Sequence, residues 1–108
     1  MSNFHPTEQE LLTTILEPLL EDFRYWFSRA RTLLETETIP FLSQEEQTDL
    51  LNRVIQSQQE VASAVMLFKS MEAKVGIDMA VLMPWHQLVT ECWQVAMRFR
   101  AYKQQNNL

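Results

Sequence analysis

The sequence contains a single glycine, Gly76. Glycine is the usual residue where a backbone must pass through positive φ, so a fold built on many tight hairpins is improbable. Sandwiches and barrels need such turns and helices do not. The same scarcity excludes a glycine-rich phosphate loop, and no strand–helix alternation suggests a nucleotide fold. Cysteine is equally sparse. Cys92 stands alone, which rules out an intramolecular disulfide and a CxxC metal pair. The longest uninterrupted apolar stretches are a few residues, well short of the ~18 that span a bilayer. No basic start followed by an apolar run marks a secretory leader. The expectation is a soluble, cytoplasmic protein.

What is present reads as one helical domain. The 108 residues are 46% hydrophobic and 21% charged, ordinary for a globular chain of single-domain length. Net charge is −5, against general nucleic-acid binding, which needs a basic footprint. The charge is uneven. Residues 1–50 carry ten acidic and three basic side chains, residues 51–108 four acidic and six basic, so the halves are suited to pack against each other or against a partner.

Residues 1–6 read as a disordered lead-in. Thr7 and Glu10 then form a T-x-x-E capping box, in which hydroxyl and carboxylate satisfy orphan amides reciprocally. Pro18 interrupts the apolar run that follows, which predicts either a kink near Glu17 or a short helix followed by a new one. Leu19, Phe23, Trp26, Ala30 and Leu33 continue in steps of four and three, the repeat of a helix packed along its length. Residues 35–40 read as a loop ahead of Pro40. Ser43 and Glu46 form a second capping box, opening a helix expected over 44–74 with the stripe Leu51, Val54, Gln58, Val61, Val65, Phe68. Lys74 and Gly76 suit its C-terminal end. Pro84 fits the first position of a third helix, whose stripe is Trp85, Leu88, Cys92, Val95, Phe99, Tyr102, widened by Val89, Trp93 and Ala96. Residues 104–108 are polar and expected to fray. The fold class is all-α: an antiparallel bundle of three long helices over 7–103, the first kinked or split near Pro18.

Catalytic and metal constellations are weak. His86 lies five and six residues from Glu91 and Cys92, not the i, i+3 or i, i+4 spacing of ligands on one helix, and His5 falls in the lead-in. Cys92 is centred on an apolar stripe, where burial quiets a thiol. Glu17, Glu21 and Asp22 read as a solvated helix face, and no inward Glu-x-x-His pair exists for a carboxylate metal centre. No cofactor, metal or enzymatic activity is expected.

Aromatics are in surplus. Phe23, Tyr25, Trp26 and Phe27 fall within five residues, more than one full helical turn, so Tyr25 must point away from the core. Trp85 and Trp93, eight apart, could join Trp26 along one groove, with arginines on both helices (Arg24, Arg29, Arg31; Arg98, Arg100) to complete an interface. The alternative for any one of them is plain core or solubilising surface. As partner-binding residues the sequence offers Arg24, Tyr25, Trp26, Phe27, Trp85, His86, Trp93 and Arg98. The methionines Met66, Met71, Met79, Met83 and Met97 add adaptable apolar surface, and a second apolar stripe leaves room for a homodimer.

The segments Leu16-Glu17-Pro18-Leu19-Leu20-Glu21-Asp22-Phe23-Arg24-Tyr25-Trp26-Phe27 and Leu82-Met83-Pro84-Trp85-His86-Gln87-Leu88-Val89-Thr90-Glu91-Cys92-Trp93-Gln94 resemble a family of small cyanobacterial proteins catalogued as a domain of unknown function. The resemblance covers roughly residues 11–100 and brings no catalytic motif. It implies a cyanobacterial cytoplasm and a helical assembly factor or adaptor, chaperone-like, near photosynthesis or carbon fixation. Carboxysome shell assembly is the first guess, with a carboxysome shell protein as partner and a possible carboxysome-associated location. Rubisco or phycobilisome assembly, or a permanent subunit of a photosynthetic complex, are the alternatives.

Overall fold

The computed structural model describes residues 8–70 and 79–106, with side chains at 14–70 and 80–106. Three helices account for almost all of it: α1 (Glu8–Thr36), α2 (Gln44–Ser70) and α3 (Met79–Asn106), with no strand among the described residues. The protein is an all-α three-helix bundle. Thr7, Lys74 and Gly76, expected to cap helix ends, and the lead-in 1–6 lie outside the described residues.

The helix α1 is continuous through Pro18, so the expected split is not adopted. Proline within a helix forfeits a hydrogen bond at a cost of about 3 kcal/mol. Its exposed ring is flanked by Leu16 and Leu20, 5% and 1% exposed, and burying two leucines returns roughly 3 to 6 kcal/mol. Packing overrides the local penalty. The same reason corrects the start of α3. It begins at Met79, placing Pro84 at the sixth helical position rather than the first, because Leu82 is buried three residues before Trp85 and extends the stripe upstream. At the other end α3 continues to Asn106, into the tail expected to fray.

The core line of α1 is Leu16, Leu20, Phe23, Phe27, Ala30 and Leu34; Leu19, Trp26 and Leu33 are only half-buried beside it. The line thus sits one residue on from the stripe expected at three of its positions. The reason is that α1 carries adjacent apolar pairs, 19/20, 26/27 and 33/34, a heptad apart, and packs against both other helices. In α2 the centre runs through Leu50, Val54, Ser57, Val61, Val65 and Phe68, with Ser57 where the sequence suggested Gln58. Gln58 instead accepts a 3.0 Å hydrogen bond from Arg31 Nη1 on α1.

The second capping box forms as expected. Glu46 N–H donates to Ser43 Oγ at 3.0 Å and Ser43 N–H donates to Glu46 Oε1 at 2.8 Å; the Ser43 N–H foremost, with the Ser43 hydroxyl adding to it, holds the Glu46 carboxyl below its usual range. Just beyond it, Gln47 ties the α1–α2 connection. Its Nε2 donates to the carbonyls of Leu34 (2.9 Å) and Glu37 (2.7 Å), and its Oε1 accepts from Ile39 N–H at 2.9 Å. Ile39 is thereby held fully buried.

Backbone packing is densest between α1 and α2, lighter between α1 and α3 and sparse between α2 and α3. Contacts ascend together along α1 and α3 (Phe23 with Trp85, Trp26 with Trp93, Glu37 with Lys103) and in opposite order along α2 and α3 (Arg53 with Glu91, Glu60 with Trp85). The radius of gyration is 17.7 Å, against about 13 Å for a compact domain of this length. A bundle this elongated leaves each helix one long face on solvent.

Candidate partner-binding groove

The half-buried members of the α1 pairs, Trp26 and Leu33, face α3 across a groove of about 520 Å³. Ala30 and Ala96 provide its floor, where short side chains leave a recess, and Trp93, Met97 and Phe99 its α3 wall. On α3, Glu91 meets α2, and Trp93, two residues on and about 200° round the helix, meets the groove. The groove therefore opens on the side away from α2.

Its aromatic end is built edge-to-face. The rings of Trp26 and Trp93 lie 5.1 Å apart at 83°, and Tyr25 packs on Trp26 at 5.0 Å and 76°, an arrangement that aligns ring edges with ring faces. Arg29 Nη1 donates to the Tyr25 hydroxyl at 3.0 Å. Despite this packing, Trp93 remains 44% exposed and Met97 70%. Among the described residues the charged lining is Arg29, Arg100 and Lys103, with no acidic residue. Lys103 reaches Glu37 at 3.5 Å and lies 4.8 Å from the Phe99 ring centre. Arg29 and Arg100 have no carboxylate partner among the described residues.

Of the eight residues proposed from sequence, the structure brings three together here: Tyr25, Trp26 and Trp93. Phe27 and Trp85 are 0% and 2% exposed, so neither can be offered to a partner directly. Trp85 turns inward onto Phe23 (5.7 Å, 69°), and its Nε1 donates to Glu60 Oε1 at 3.0 Å. Three tryptophans lining one groove reduce to two. Arg24 pairs with Glu21 at 3.4 Å. His86 is exposed on the second turn of α3, not at its start, and its carbonyl accepts from Thr90. The Arg98 guanidinium stacks 4.1 Å from the Phe41 ring centre, outside the groove. Arg29 and Arg100, read from sequence as interface arginines, and Met97, read as adaptable apolar surface, line the groove without standing among those eight, and Lys103 is new, although 26, 29/30, 33 on α1 and 93, 96/97, 100 on α3 share the i, i+3/i+4, i+7 signature of one helical face.

A second concavity, about 540 Å³, lies between α2 and α3, but the charged groups lining it are already engaged, Glu60 by the Trp85 Nε1–H and Arg53 and Glu91 by each other. Arg53 clasps Glu91 through two 2.9 Å bonds and takes Asp49 at 3.0 Å. Those bonds hold the Glu91 carboxyl below its usual range, against a smaller opposing effect of burial. Cys92 is buried, and desolvation, with the Glu91 charge adding to it, pushes its thiol up to about 11. At neutral pH it is a protonated core thiol. Among the described residues no three His, Cys, Asp or Glu side chains cluster as metal ligands, and no helix is long and apolar enough to cross a membrane.

The family model described as Protein of unknown function (DUF2605) matches residues 6–101, all of α1 and α2 and most of α3. The chain belongs to this family. No curated protein and no solved structure matches it. All of the groove's lining residues except Lys103 fall within the span matched by the DUF2605 model.

Proposed function

We propose that this DUF2605 protein is a non-enzymatic adaptor or assembly factor that holds a segment of a partner protein in the α1–α3 groove. The observation that carries this reading is Trp93: a large aromatic fixed edge-to-face against Trp26, yet 44% exposed beside a 70% exposed Met97. Tryptophan, tyrosine and arginine dominate interface hot spots, and all three meet here, with methionine as adaptable filler. Pre-packing Trp26 and Trp93 in the free protein lowers the ordering cost of binding. Of the assemblies that the family resemblance implies, the carboxysome shell is the partner to offer first, with Rubisco and the phycobilisome after it.

The test is a photo-crosslinking residue placed at Met97 or, as a control, at the exposed α2 position Gln59, in the presence of each candidate partner. A discrete adduct from position 97, absent from 59 and lost when Trp93→Ser is added, is the expected result. Equal adducts from both positions, or adducts indifferent to Trp93, would place the interface elsewhere.

A further inference from the structure

Building on that reading, we infer that the groove's occupant is an acidic amphipathic helix of a partner protein. The lining recurs on three successive turns of each wall, at 26, 29/30 and 33 on α1 and at 93, 96/97 and 100 on α3. This is a trough about 10 Å long between two helices. A helix presenting apolar anchors at i, i+3/i+4 and i+7 matches that length and periodicity, and its insertion converts three helices into a four-helix arrangement.

The charge of the lining fixes the sign of the occupant. The chain as a whole is −5, yet among the described residues every charged side chain lining this groove is basic. The cations are also ordered: Arg29 stands beside the aromatic end, while Arg100 and Lys103 follow Trp93 by two and three turns along α3. An occupant therefore sets its largest apolar anchor against Trp26 and Trp93 and its carboxylates along the Arg29–Arg100–Lys103 rim, where rim charges set specificity and encounter rate. The same sign argues against a second copy docking groove to groove. A two-fold contact repeats one patch on both subunits, placing these three cations against their own counterparts.

The experiment is a displayed library of helix-forming peptides with a randomised three-turn apolar face and flanking positions varied among Glu, Lys and Gln. Selection is on the wild-type protein, followed by rescreening on Trp93→Ser and on the triple variant Arg29→Gln, Arg100→Gln, Lys103→Gln. All four positions are exposed, and circular dichroism confirms retention of the helices. Selected peptides should be acidic and lose measurable binding on Trp93→Ser. On the triple variant they should weaken about fivefold, chiefly through loss of the exposed ion pairs to Arg29 and Arg100, since Lys103 already meets Glu37, and on wild type they should weaken as salt rises. Neutral or basic winners that still require Trp93 would overturn the acidic occupant and leave the groove standing. Winners indifferent to Trp93, or none, would remove the groove reading and this inference together. Self-association of the pure protein that Trp93→Ser abolishes would make the occupant a second copy and overturn the proposal.

Discussion

Replacing Gln47 should destabilise this bundle far more than an interhelical polar residue ordinarily would. Its amide makes three bonds, to the Leu34 and Glu37 carbonyls and from the Ile39 N–H. Each is worth about 1 kcal/mol net, and more when its loss strands a buried partner. The site is partly buried, so water relieves some of the loss. Gln47→Met, which keeps the length and removes all three bonds, should cost about 2 to 3 kcal/mol. Gln47→Glu separates the components. It keeps the acceptor for Ile39 N–H but turns a carboxylate oxygen toward two carbonyls, adding roughly 1 to 2 kcal/mol of repulsion and lost donation at neutral pH. The introduced carboxyl should therefore have a raised folded-state pKa. A raised acid costs its full amount above that folded value; as pH falls toward the unfolded value of about 4.3 the cost shrinks, because the protonated form donates one bond. The assay is urea unfolding followed by far-ultraviolet circular dichroism, with each variant compared with wild type at several pH values. If the Glu variant matches wild type at neutral pH, or its deficit does not shrink on acidification, the three-bond account of this loop is wrong. Because the connection also holds Glu37 against Lys103 and Phe41 against Arg98, the same variants should loosen the basic end of the groove.

Trp85→Ala should cost about 3 to 5 kcal/mol, as loss of a buried tryptophan does, while Trp93→Ala should stay within about 1 kcal/mol; thermal melts of the two variants distinguish core from groove. The Glu91 carboxyl is depressed by Arg53, so its contribution is present above the unfolded value and lost as pH falls through the folded one. With both partners near half exposure, Glu91→Gln should cost about 0.5 kcal/mol at neutral pH, a gap that closes in acid. A gap that persists below the carboxylate range would show the ion pair is not its source.

The helices were legible because apolar spacing and capping chemistry are local. Ser43 and Glu46 announce α2 in four residues and form the reciprocal bonds expected of them. The phase of α1 was not legible, since Leu19/Leu20, Trp26/Phe27 and Leu33/Leu34 offer two equally apolar lines. Only the placement of α2 and α3 decides which line is core and which faces the groove. The prolines misled for a related reason: Pro18 and Pro84 carry strong local signals, and burial of Leu16, Leu20 and Leu82 outweighs them. Tyr25 could be set outside the core from helix geometry alone, whereas Trp85 and Trp93, eight residues apart, looked alike until Phe23 and Glu60 claimed the first. Gln47 left no periodic trace, because a helix-start glutamine becomes structural only when the chain ahead of it bends back within reach.

The uneven packing of α3 has a kinetic consequence. The α1–α2 hairpin, closed by a short connection and rich in near-neighbour contacts, has the low contact order that favours early formation, whereas α3 joins chiefly along α1 and meets α2 through the Arg53–Glu91 and Glu60–Trp85 bridges. Docking of α3 is then the late step and its release the least costly partial opening. Since one wall of the groove is α3 itself, the binding surface comes into being only with that step. Any occupant that spans both walls acts as a clasp, slowing the departure of α3 and raising the protein's resistance to proteolysis and heat in proportion to how tightly it is held.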